Sequence, residues 1–183
     1  MNQMRVNWAV LTPSFVGFIT PSDVPGLKTL TLAGEAMSEA HIATWSHINL
    51  VNGYGPSECS VAAVVNSHVI PGTSPTHIGS ATGARLWVAE PSDYNRLVPV
   101  GCVGELLVQG PTLARGYRGQ PDKTAESFIQ TTAWASACNS DKEDWRFYRT
   151  GDLVRQSSDG TLMFVGRKDT EVKGKHRTTG IAS

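Results

Sequence analysis

Three glycine-centred turns hold most of the side chains in this sequence that could do chemistry. Each follows an apolar run, at LAGEAMS (32–38), NGYGPSE (52–58) and YRTGDLV (148–154). Glycine allows the chain to turn sharply or to approach a ligand closely. Taken singly, such turns are also common in α/β folds that bind nothing there. We therefore consider them together, as candidates for one binding site.

The second turn places a hydroxyl beside a carboxylate. Ser57 precedes Glu58, and Tyr54 adds a flat aromatic ring shortly before them. Mg²⁺ in proteins takes one or two carboxylates and completes its shell with phosphate oxygens and water. The pair therefore suits a phosphate group with its Mg²⁺, while a plain Gly-Pro turn remains the alternative.

The third turn ends in an acidic residue, and an arginine follows further along the chain. Asp152 comes directly after Gly151 at a predicted strand end. A carboxylate in such a place accepts ribose hydroxyls in dinucleotide-binding folds. Arg167 in VGRKD is able to reach a phosphate or a ribose. The alternatives are a turn aspartate that bonds its own backbone and a solvated surface arginine.

The first third of the chain alternates between strand and helix patterns around these turns. Apolar runs near Val10, in LKTLTLAG and in HINLVNGYG predict strands, and Ser38 caps a predicted helix that carries Ile42 and Trp45. Two strands separated by such a helix form a βαβ unit with a parallel sheet. Ligands bind such sheets beyond the carboxyl ends of the strands, which is where the first two turns lie.

The rest of the chain is predicted to be mostly β. ARLWVAE and VGELLVQG indicate strands on either side of the turn-rich PSDYNRLVPVG, and RFYRTGDLV and TLMFVGR form a hairpin through SSDG. Pro121 opens a predicted helix, PDKTAESFI, with Ala125, Phe128 and Ile129 on one side. The polar tail after Lys173 is expected to fray.

Composition excludes several classes of partner. The chain has 183 residues, 16 basic and 16 acidic side chains and a formal net charge of zero, so we expect no nucleic-acid or membrane partner. No run approaches the ~20 apolar residues that cross a bilayer. Cys59, Cys102 and Cys138 lie far apart without metal-ligand spacing, and the sequence begins without a signal-peptide pattern. We expect a cytoplasmic protein with reduced thiols.

Five motifs in one order carry a resemblance to a known family. LAGEAMS, NGYGPSE, VGELLVQGPTLARGY, YRTGDLV and VGRKDTEVK resemble the core motifs of adenylation domains of nonribosomal peptide synthetases, in the adenylate-forming (AMP-dependent ligase) superfamily. The similarity runs from about Trp8 to Lys173. It implies an α/β fold, part of the large N-terminal domain of adenylate-forming enzymes, with a parallel βαβ part followed by a β-rich, distorted barrel-like subdomain.

The resemblance also suggests a division of the chain. Residues 1–82 would form the α/β part with the nucleotide- and substrate-binding turns, and residues 83–166 the β-rich subdomain with the ribose-binding TGD turn. Residues 167–183 would be the start of a hinge and a truncated, disordered tail.

A two-step reaction with ATP and Mg²⁺ is implied by the same resemblance. The carboxylate of an amino acid, or of another small acid, attacks the α-phosphate of ATP to give an acyl adenylate and pyrophosphate. The acyl group then passes to the phosphopantetheine thiol on a carrier-protein domain of the same synthetase. Attack at a phosphate depends on positioning and charge neutralisation more than on covalent catalysis, which agrees with the residue types in the turns.

By resemblance, the first two turns enclose the adenine. Asn52, Gly53 and Tyr54 would contact the base and stack on it. Gly34 and Glu35 would line the other side of the nucleotide cleft.

The phosphate and the ribose would be held by the remaining motif residues. Ser57, where the family usually has threonine, would hold the α-phosphate, and Glu58 would bind Mg²⁺, which makes these two the catalytic candidates. Asp152 would bind the ribose hydroxyls, and Arg167 would support the ribose and phosphate. Phe164 stands near the ribose where many family members have tyrosine, so one hydrogen bond is expected to be missing.

Two further roles follow from the resemblance. Asp169 in GRKD would be the hinge on which a small C-terminal domain moves. The amino-acid pocket would be lined in part by small or apolar residues, namely Thr31, Ala33, Gly53, Val61 and Ala62. Glu105, within VGELLVQG, is expected to be structural because it lies on a strand away from the turns.

Parts of the family pattern have no counterpart in the sequence. They are the Ser/Thr/Gly-rich phosphate loop with its lysine and, after VK, the Arg-Gly turn that leads to a small domain with a catalytic lysine. We expect the chain to be inactive alone, because each lost charged contact removes on the order of 10²-fold in rate. The alternatives are a non-catalytic AMP- or ATP-binding remnant, an unstable pseudogene product, and a fragment of an acyl-CoA-synthetase-like ligase.

Overall fold

The computed structural model describes residues 4–130, 132, 134–135 and 145–169. The strands are β1 (Trp8–Leu11), β2 (Thr29–Ala33), β3 (Asn49–Tyr54), β4 (Val64–Val69), β5 (His77–Ala81), β6 (Arg85–Glu90), β7 (Asp93–Leu97), β8 (Val103–Gln109), β9 (Phe128–Gln130), β10 (Arg146–Gln156) and β11 (Leu162–Arg167). The helices are α1 (Pro13–Val16), α2 (Glu39–Trp45) and α3 (Pro121–Ser127), with 3₁₀ turns at Pro21–Asp23 and Ser57–Cys59. The predicted frayed tail and Cys138 lie outside the described residues.

Over the described residues, eleven strands form one mixed sheet. Their order is β1-β2-β3-β4-β5-β11-β10-β8-β6-β7, and β9 pairs with β10. β1, β2 and β3 run parallel, and the other neighbouring strands run antiparallel. The predicted α/β class is therefore confirmed, with a parallel part followed by a β-rich part. The described strands leave the sheet open instead of closing it into a barrel.

The βαβ unit forms because its apolar residues repeat with the period of each element. Leu30 and Leu32 alternate with less buried residues along β2 and are fully buried, and each contributes roughly 2 kcal/mol to folding. α2 begins after Ser38, whose Oγ accepts a hydrogen bond from the His41 backbone N–H at 3.4 Å. Trp45 on the inner face of α2 packs in the same core cluster. This packing places the ends of β2 and β3 side by side.

β8 is buried on both faces, which explains its nearly continuous apolar run. Leu106 and Val108 pack with one core cluster, and Leu107 packs with another that includes Phe147 of β10. Side chains along a strand alternate between the two faces of a sheet. β8 is therefore a central strand that separates two layers of core.

Two local predictions are wrong. α3 ends at Ser127, and Phe128 and Ile129 belong to β9 instead of extending the helix. Both side chains are buried, and their backbones pair with β10, so tertiary pairing overrides the helical spacing. The stretch predicted as turns between the first two β-rich strands also contains a strand, β7.

Within the described part of the chain, no helix combines the length and the apolar character needed to span a bilayer.

Candidate functional site

A cleft of about 330 Å³ opens at the carboxyl ends of β2 and β3. Its wall contains seven of the residues predicted to bind the nucleotide, namely Gly34, Glu35, Asn52, Gly53, Tyr54, Asp152 and Phe164. The first five follow or end the two parallel strands, while the last two come from the antiparallel pair β10 and β11. The fold thus brings the three glycine-centred turns to one place, at the edge of the sheet where ligands of α/β proteins bind.

Asp152 is a buried carboxylate in the wall of this cleft. The residue is only 8% exposed, and the Arg167 Nη1–H donates to its Oδ1 at 3.0 Å. The Tyr54 hydroxyl of β3 donates to the other carboxylate oxygen, Asp152 Oδ2. Burial, together with the negative charge of Asp152, raises the pKa of Tyr54, so its hydroxyl keeps its proton at neutral pH.

Gly151 and Asp152 lie within β10 and not at a strand end as predicted, because the strand continues through an irregular register between Arg149 and Leu153. This irregular backbone requires glycine before Asp152. Gly151 has φ +69°, a left-handed conformation, and a Cβ there would lie 3.2 Å from the Arg167 Nη2 atom. Arg167 also donates to the Thr150 carbonyl at 2.9 Å and, through Nε, to Asp169 Oδ1 at 3.3 Å. Burial lowers the pKa of Arg167, but its bonds to the carboxylates of Asp152 and Asp169 outweigh this and raise it overall. Arg167 therefore stays charged next to the cleft.

Two further cleft residues, Asn52 and Glu35, are held by hydrogen bonds to neighbouring elements. Asn52 is buried, and its Nδ2–H donates to the His77 carbonyl of β5 at 3.2 Å. Glu35 lies at the rim and accepts hydrogen bonds from the Ser14 backbone N–H at 2.8 Å and from the Ser14 hydroxyl. These two bonds lower the pKa of Glu35. Its carboxylate is thus tied to α1 in this structure.

The residues predicted for the amino-acid pocket fall into two groups. A Cβ at Gly53 would lie 3.4 Å from both the Thr31 and Ala33 side chains, so these three residues share one face of β2 and β3. Val61 is 70% exposed, and its backbone and that of Ala62 pack instead against Gly55. The absence of a side chain at Gly53 keeps the surface above Thr31 and Ala33 accessible.

Ser57 and Glu58 come directly after the cleft-lining Pro56 in the sequence, but they do not line the cleft themselves. Ser57 is exposed. The Glu58 carboxylate accepts a 2.6 Å hydrogen bond from the Tyr117 hydroxyl, which lies 3.5 Å from the Tyr148 hydroxyl. Burial raises the pKa of Glu58, but hydrogen bonds from Tyr117, from the backbone and from Tyr148 outweigh it, and the net pKa is lowered. Glu58 is therefore an ionised carboxylate.

The chemistry of Glu58 fits one protein ligand of a Mg²⁺ ion. Mg²⁺ commonly takes a single carboxylate and completes its octahedron with phosphate oxygens and water. Tyr117 donates to Oε1 of Glu58. Among the described residues, no group of three or more His, Cys, Asp or Glu side chains forms a metal cage. An ion here would therefore depend on the phosphates of a nucleotide.

Some lining residues have no signal in the motifs. Pro75, Thr76 and Ile78 form part of the cleft wall and come from the connection between β4 and β5 and from β5 itself. The sequence predicts no element for this stretch, and its pairing with β4 and β11 brings it to the site. Tyr117 lies within the quoted GPTLARGY motif, yet its contact with Glu58 joins residues 59 positions apart. A contact over this sequence distance cannot be predicted from the spacing of residues along the chain.

Comparison with known proteins agrees with this architecture. The family model described as AMP-binding enzyme matches residues 1–118. Nonribosomal peptide synthetase 1 of Aspergillus fumigatus is 55% identical over 174 residues, which cover 94% of this chain and 3% of that protein. N-benzoylphenylalaninol synthetase apmA of Penicillium brevicompactum is 52% identical over 174 residues, which cover 94% of this chain and 7% of that protein. The chain thus spans a small part of the length of these relatives.

Solved structures show the same fold. One is an NRPS protein containing adenylation and PCP domains, with a TM-score of 0.74 and 25% identity over 99% of this chain and 40% of that chain. Another is the Vibrio cholerae adenylation domain AlmE in complex with glycyl-adenosine-5'-phosphate, with a TM-score of 0.72 and 25% identity over 91% of this chain and 32% of that chain.

The mixed sheet is that of solved adenylation-domain structures. Because the family model covers more than half of its length, the chain belongs to the AMP-binding enzyme family. Within that family it is part of an adenylation domain of the nonribosomal peptide synthetase type, as its five motifs indicated.

Proposed function

We propose that this chain forms the nucleotide-binding core of an adenylation domain that activates an amino acid or another small carboxylic acid in nonribosomal peptide synthesis. A carboxylate oxygen of the substrate attacks the α-phosphorus of ATP, the bond to the leaving pyrophosphate breaks, and an acyl adenylate forms. The thiol of a carrier-protein phosphopantetheine then attacks the acyl carbonyl and AMP leaves. The observation that carries the proposal is the convergence of three separate motifs on one cleft.

In this proposal each residue has a separate task. Asp152 accepts the ribose hydroxyls, Arg167 supports the ribose and phosphate, and Tyr54 packs its ring on the adenine. Ser57 holds the α-phosphate at the cleft end, with Glu58 as the protein ligand of Mg²⁺. When bound, Mg²⁺ supplies charge neutralisation for the phosphates. Asp169 is the proposed hinge residue.

The acid-binding pocket is proposed for the small-residue face made by Thr31, Ala33 and Gly53. Gly53 has no side chain to fill the space next to Thr31 and Ala33, so this space is proposed for the side chain of the substrate. Val61 and Ala62 would border this space from the loop that packs against Gly55. A cytoplasmic location is also a proposal, supported by the free thiols of Cys59 and Cys102.

The test is nucleotide binding by the chain itself. We expect Asp152→Asn to weaken AMP and Mg·ATP binding by at least about 10-fold, because a charge-assisted bond to the ribose becomes a neutral one. Asp159→Asn is the matched control, since Asp159 lies in the hairpin turn and bonds Thr161 through an oxygen that asparagine retains. Isothermal titration calorimetry measures both variants. Equal affinities for the wild-type chain and Asp152→Asn would contradict the proposal.

A further inference from the structure

We infer that the Tyr54 hydroxyl is a positioning group: with Arg167 it holds the Asp152 carboxylate in the orientation that accepts two vicinal hydroxyls of a ribose. This inference rests on the proposed function, because it concerns how Asp152 recognises the ribose. It gives Tyr54 a second role, in addition to packing its ring on the base. The hydroxyl acts through Asp152 and does not itself take part in the reaction.

Two donors bind the two different oxygens of Asp152. Arg167 donates to Oδ1 at 3.0 Å, and Tyr54 donates to Oδ2. The terminal torsion of an aspartate side chain is soft and has no sharp preferred angle. A single donor therefore leaves the carboxylate able to rotate about that contact, whereas a second donor on the other oxygen fixes its plane.

The bonding capacity of the carboxylate matches a vicinal diol. A carboxylate offers about four acceptor positions, two on each oxygen. With one position on each oxygen taken by Tyr54 and Arg167, one position on each remains. Two neighbouring O–H groups need two acceptors at a fixed separation and orientation. Asp152 lines the cleft, so a ribose in the cleft reaches both.

The backbone of Asp152 is held independently, which confines the remaining freedom to the side chain. Its N–H donates to Thr150 Oγ1 at 3.0 Å, and the Thr150 hydroxyl in turn donates to the Leu106 carbonyl at 2.8 Å. Removal of the Tyr54 hydroxyl therefore changes the carboxylate orientation without releasing the strand.

No second phenol in the described cleft wall can substitute for Tyr54. Phe164 is the other aromatic residue lining the cleft, with its ring centroid 6.3 Å from that of Tyr54, and it carries no hydroxyl. Tyr54 comes from β3 and Asp152 from β10, so the bond also links the parallel and the antiparallel parts of the sheet at the site.

The test compares two nucleotides that differ only in the diol. AMP and 2′,3′-dideoxy-AMP are titrated into the wild-type chain, Tyr54→Phe and Tyr94→Phe by calorimetry or by chemical-shift perturbation. We expect the wild-type chain to prefer AMP by on the order of 10-fold or more, and Tyr54→Phe to lower this preference roughly 3- to 10-fold. The affinity of Tyr54→Phe for the dideoxynucleotide should be unchanged, since the ring remains.

Tyr94→Phe is the matched control. Tyr94 belongs to a different core cluster, and its ring lies 5.0 Å from the guanidinium carbon of Arg149. This substitution also removes one phenol hydroxyl, and we expect it to leave both affinities unchanged.

The possible results distinguish a failure of the Tyr54 positioning role from a failure of the proposed function. An unchanged or increased AMP preference in Tyr54→Phe overturns the positioning role, and so does an equal loss of affinity for both nucleotides. In those cases a wild-type preference for AMP still supports the ribose-binding role of Asp152. A wild-type chain that binds neither nucleotide, or that does not distinguish them, contradicts the proposed function and the inference together.

Discussion

At the scale of single residues, the cleft depends on a few side chains whose neighbours fix their charge and direction. Arg167 bonds Asp152, Asp169 and the Thr150 carbonyl at once, so one guanidinium holds the end of β11 against the irregular part of β10. Gly151 makes room for that guanidinium by having no side chain. The glycine of β10 and the arginine of β11 therefore depend on each other, because the glycine leaves room for the arginine that bonds Asp152.

A substitution at Gly151 should affect both stability and nucleotide binding. In Gly151→Ala, the left-handed backbone becomes unfavourable by roughly 1–2 kcal/mol, and the new methyl group displaces Arg167 from Asp152. We expect the melting temperature to fall by roughly 2–8 °C and AMP affinity to decrease. Thermal denaturation and AMP titration measure these effects.

Gly119→Ala is the control for the backbone contribution. Gly119 has φ +71°, nearly that of Gly151, but no atom lies within 4 Å of a Cβ placed there. Gly119→Ala should show the backbone cost alone, Gly151→Ala should lose at least as much stability, and only Gly151→Ala should lose affinity for AMP. A similar loss of affinity in both would show that general destabilisation, and not the position of Arg167, is responsible.

At the scale of elements, β10 serves the site on one face and a buried ion cluster on the other. Glu105 of β8 lies opposite Leu153 in the strand register, next to Asp152, so the two carboxylates point to opposite faces of the sheet. Glu105 is 2% exposed and pairs with Arg149 Nη2 at 3.2 Å and with Lys168 Nζ at 3.0 Å. Lys168 follows Arg167 directly. The end of β11 is therefore bonded to Asp152 on one face of the sheet and to Glu105 on the other.

Removal of the buried carboxylate should destabilise the sheet. Glu105→Gln leaves two cations without their shared anion, and we expect a loss of about 2 kcal/mol in the free energy of unfolding. This value is below that for fully buried pairs because Arg149 and Lys168 remain partly exposed. Urea denaturation provides the measurement.

Glu90→Gln provides the comparison at the surface. Glu90 pairs with Arg96 at 3.5 Å, and both side chains are well exposed. Surface pairs of this kind contribute about 0–1 kcal/mol, so the control should change little. If both variants lost the same stability, burial would not be the reason for the importance of Glu105.

At the scale of the whole molecule, the chain matches part of the length of solved adenylation-domain chains. It corresponds to 40% of the length of one solved NRPS chain and 32% of an adenylation-domain chain. Several apolar side chains on and beside β1 are exposed, namely Trp8 at 58%, Val10 at 46%, Phe15 at 51% and Phe18 at 85%. Apolar surface of this kind, next to a strand with one paired edge, is typical of an interface.

We expect the isolated chain to bind nucleotide without catalysing the first half-reaction. The sequence contains no counterpart of the family's phosphate loop, and loss of charged contacts to the phosphates typically reduces the rate by on the order of 10²-fold or more per group. Amino-acid-dependent exchange of pyrophosphate into ATP measures this directly. Exchange clearly above that of a Glu58→Ala variant would show that the residues present are sufficient for adenylation.

Much of the fold was predictable because local patterns agreed with tertiary packing. The alternation in LKTLTLAG, the cap at Ser38 and the SSDG hairpin all correspond to the elements observed. The failures occurred where long-range pairing decided the outcome: Phe128 and Ile129 have helical spacing but pair with β10. The division of the chain at residue 82 stays a prediction, and β5 on one side of it pairs with β11 on the other.

The sequence by itself determined the family, the strand-turn motifs and the residue types of the candidate site, because these depend on order along the chain and on side-chain chemistry. Only the tertiary structure decided which side chains meet. Tyr54 and Asp152 are 98 positions apart, and Glu58 and Tyr117 are 59 apart, so no periodicity links them. The Tyr54–Asp152 contact exists because β5, β11 and β10 complete one sheet beside the parallel strands, and strand pairing over such distances is set by the packing of the whole core.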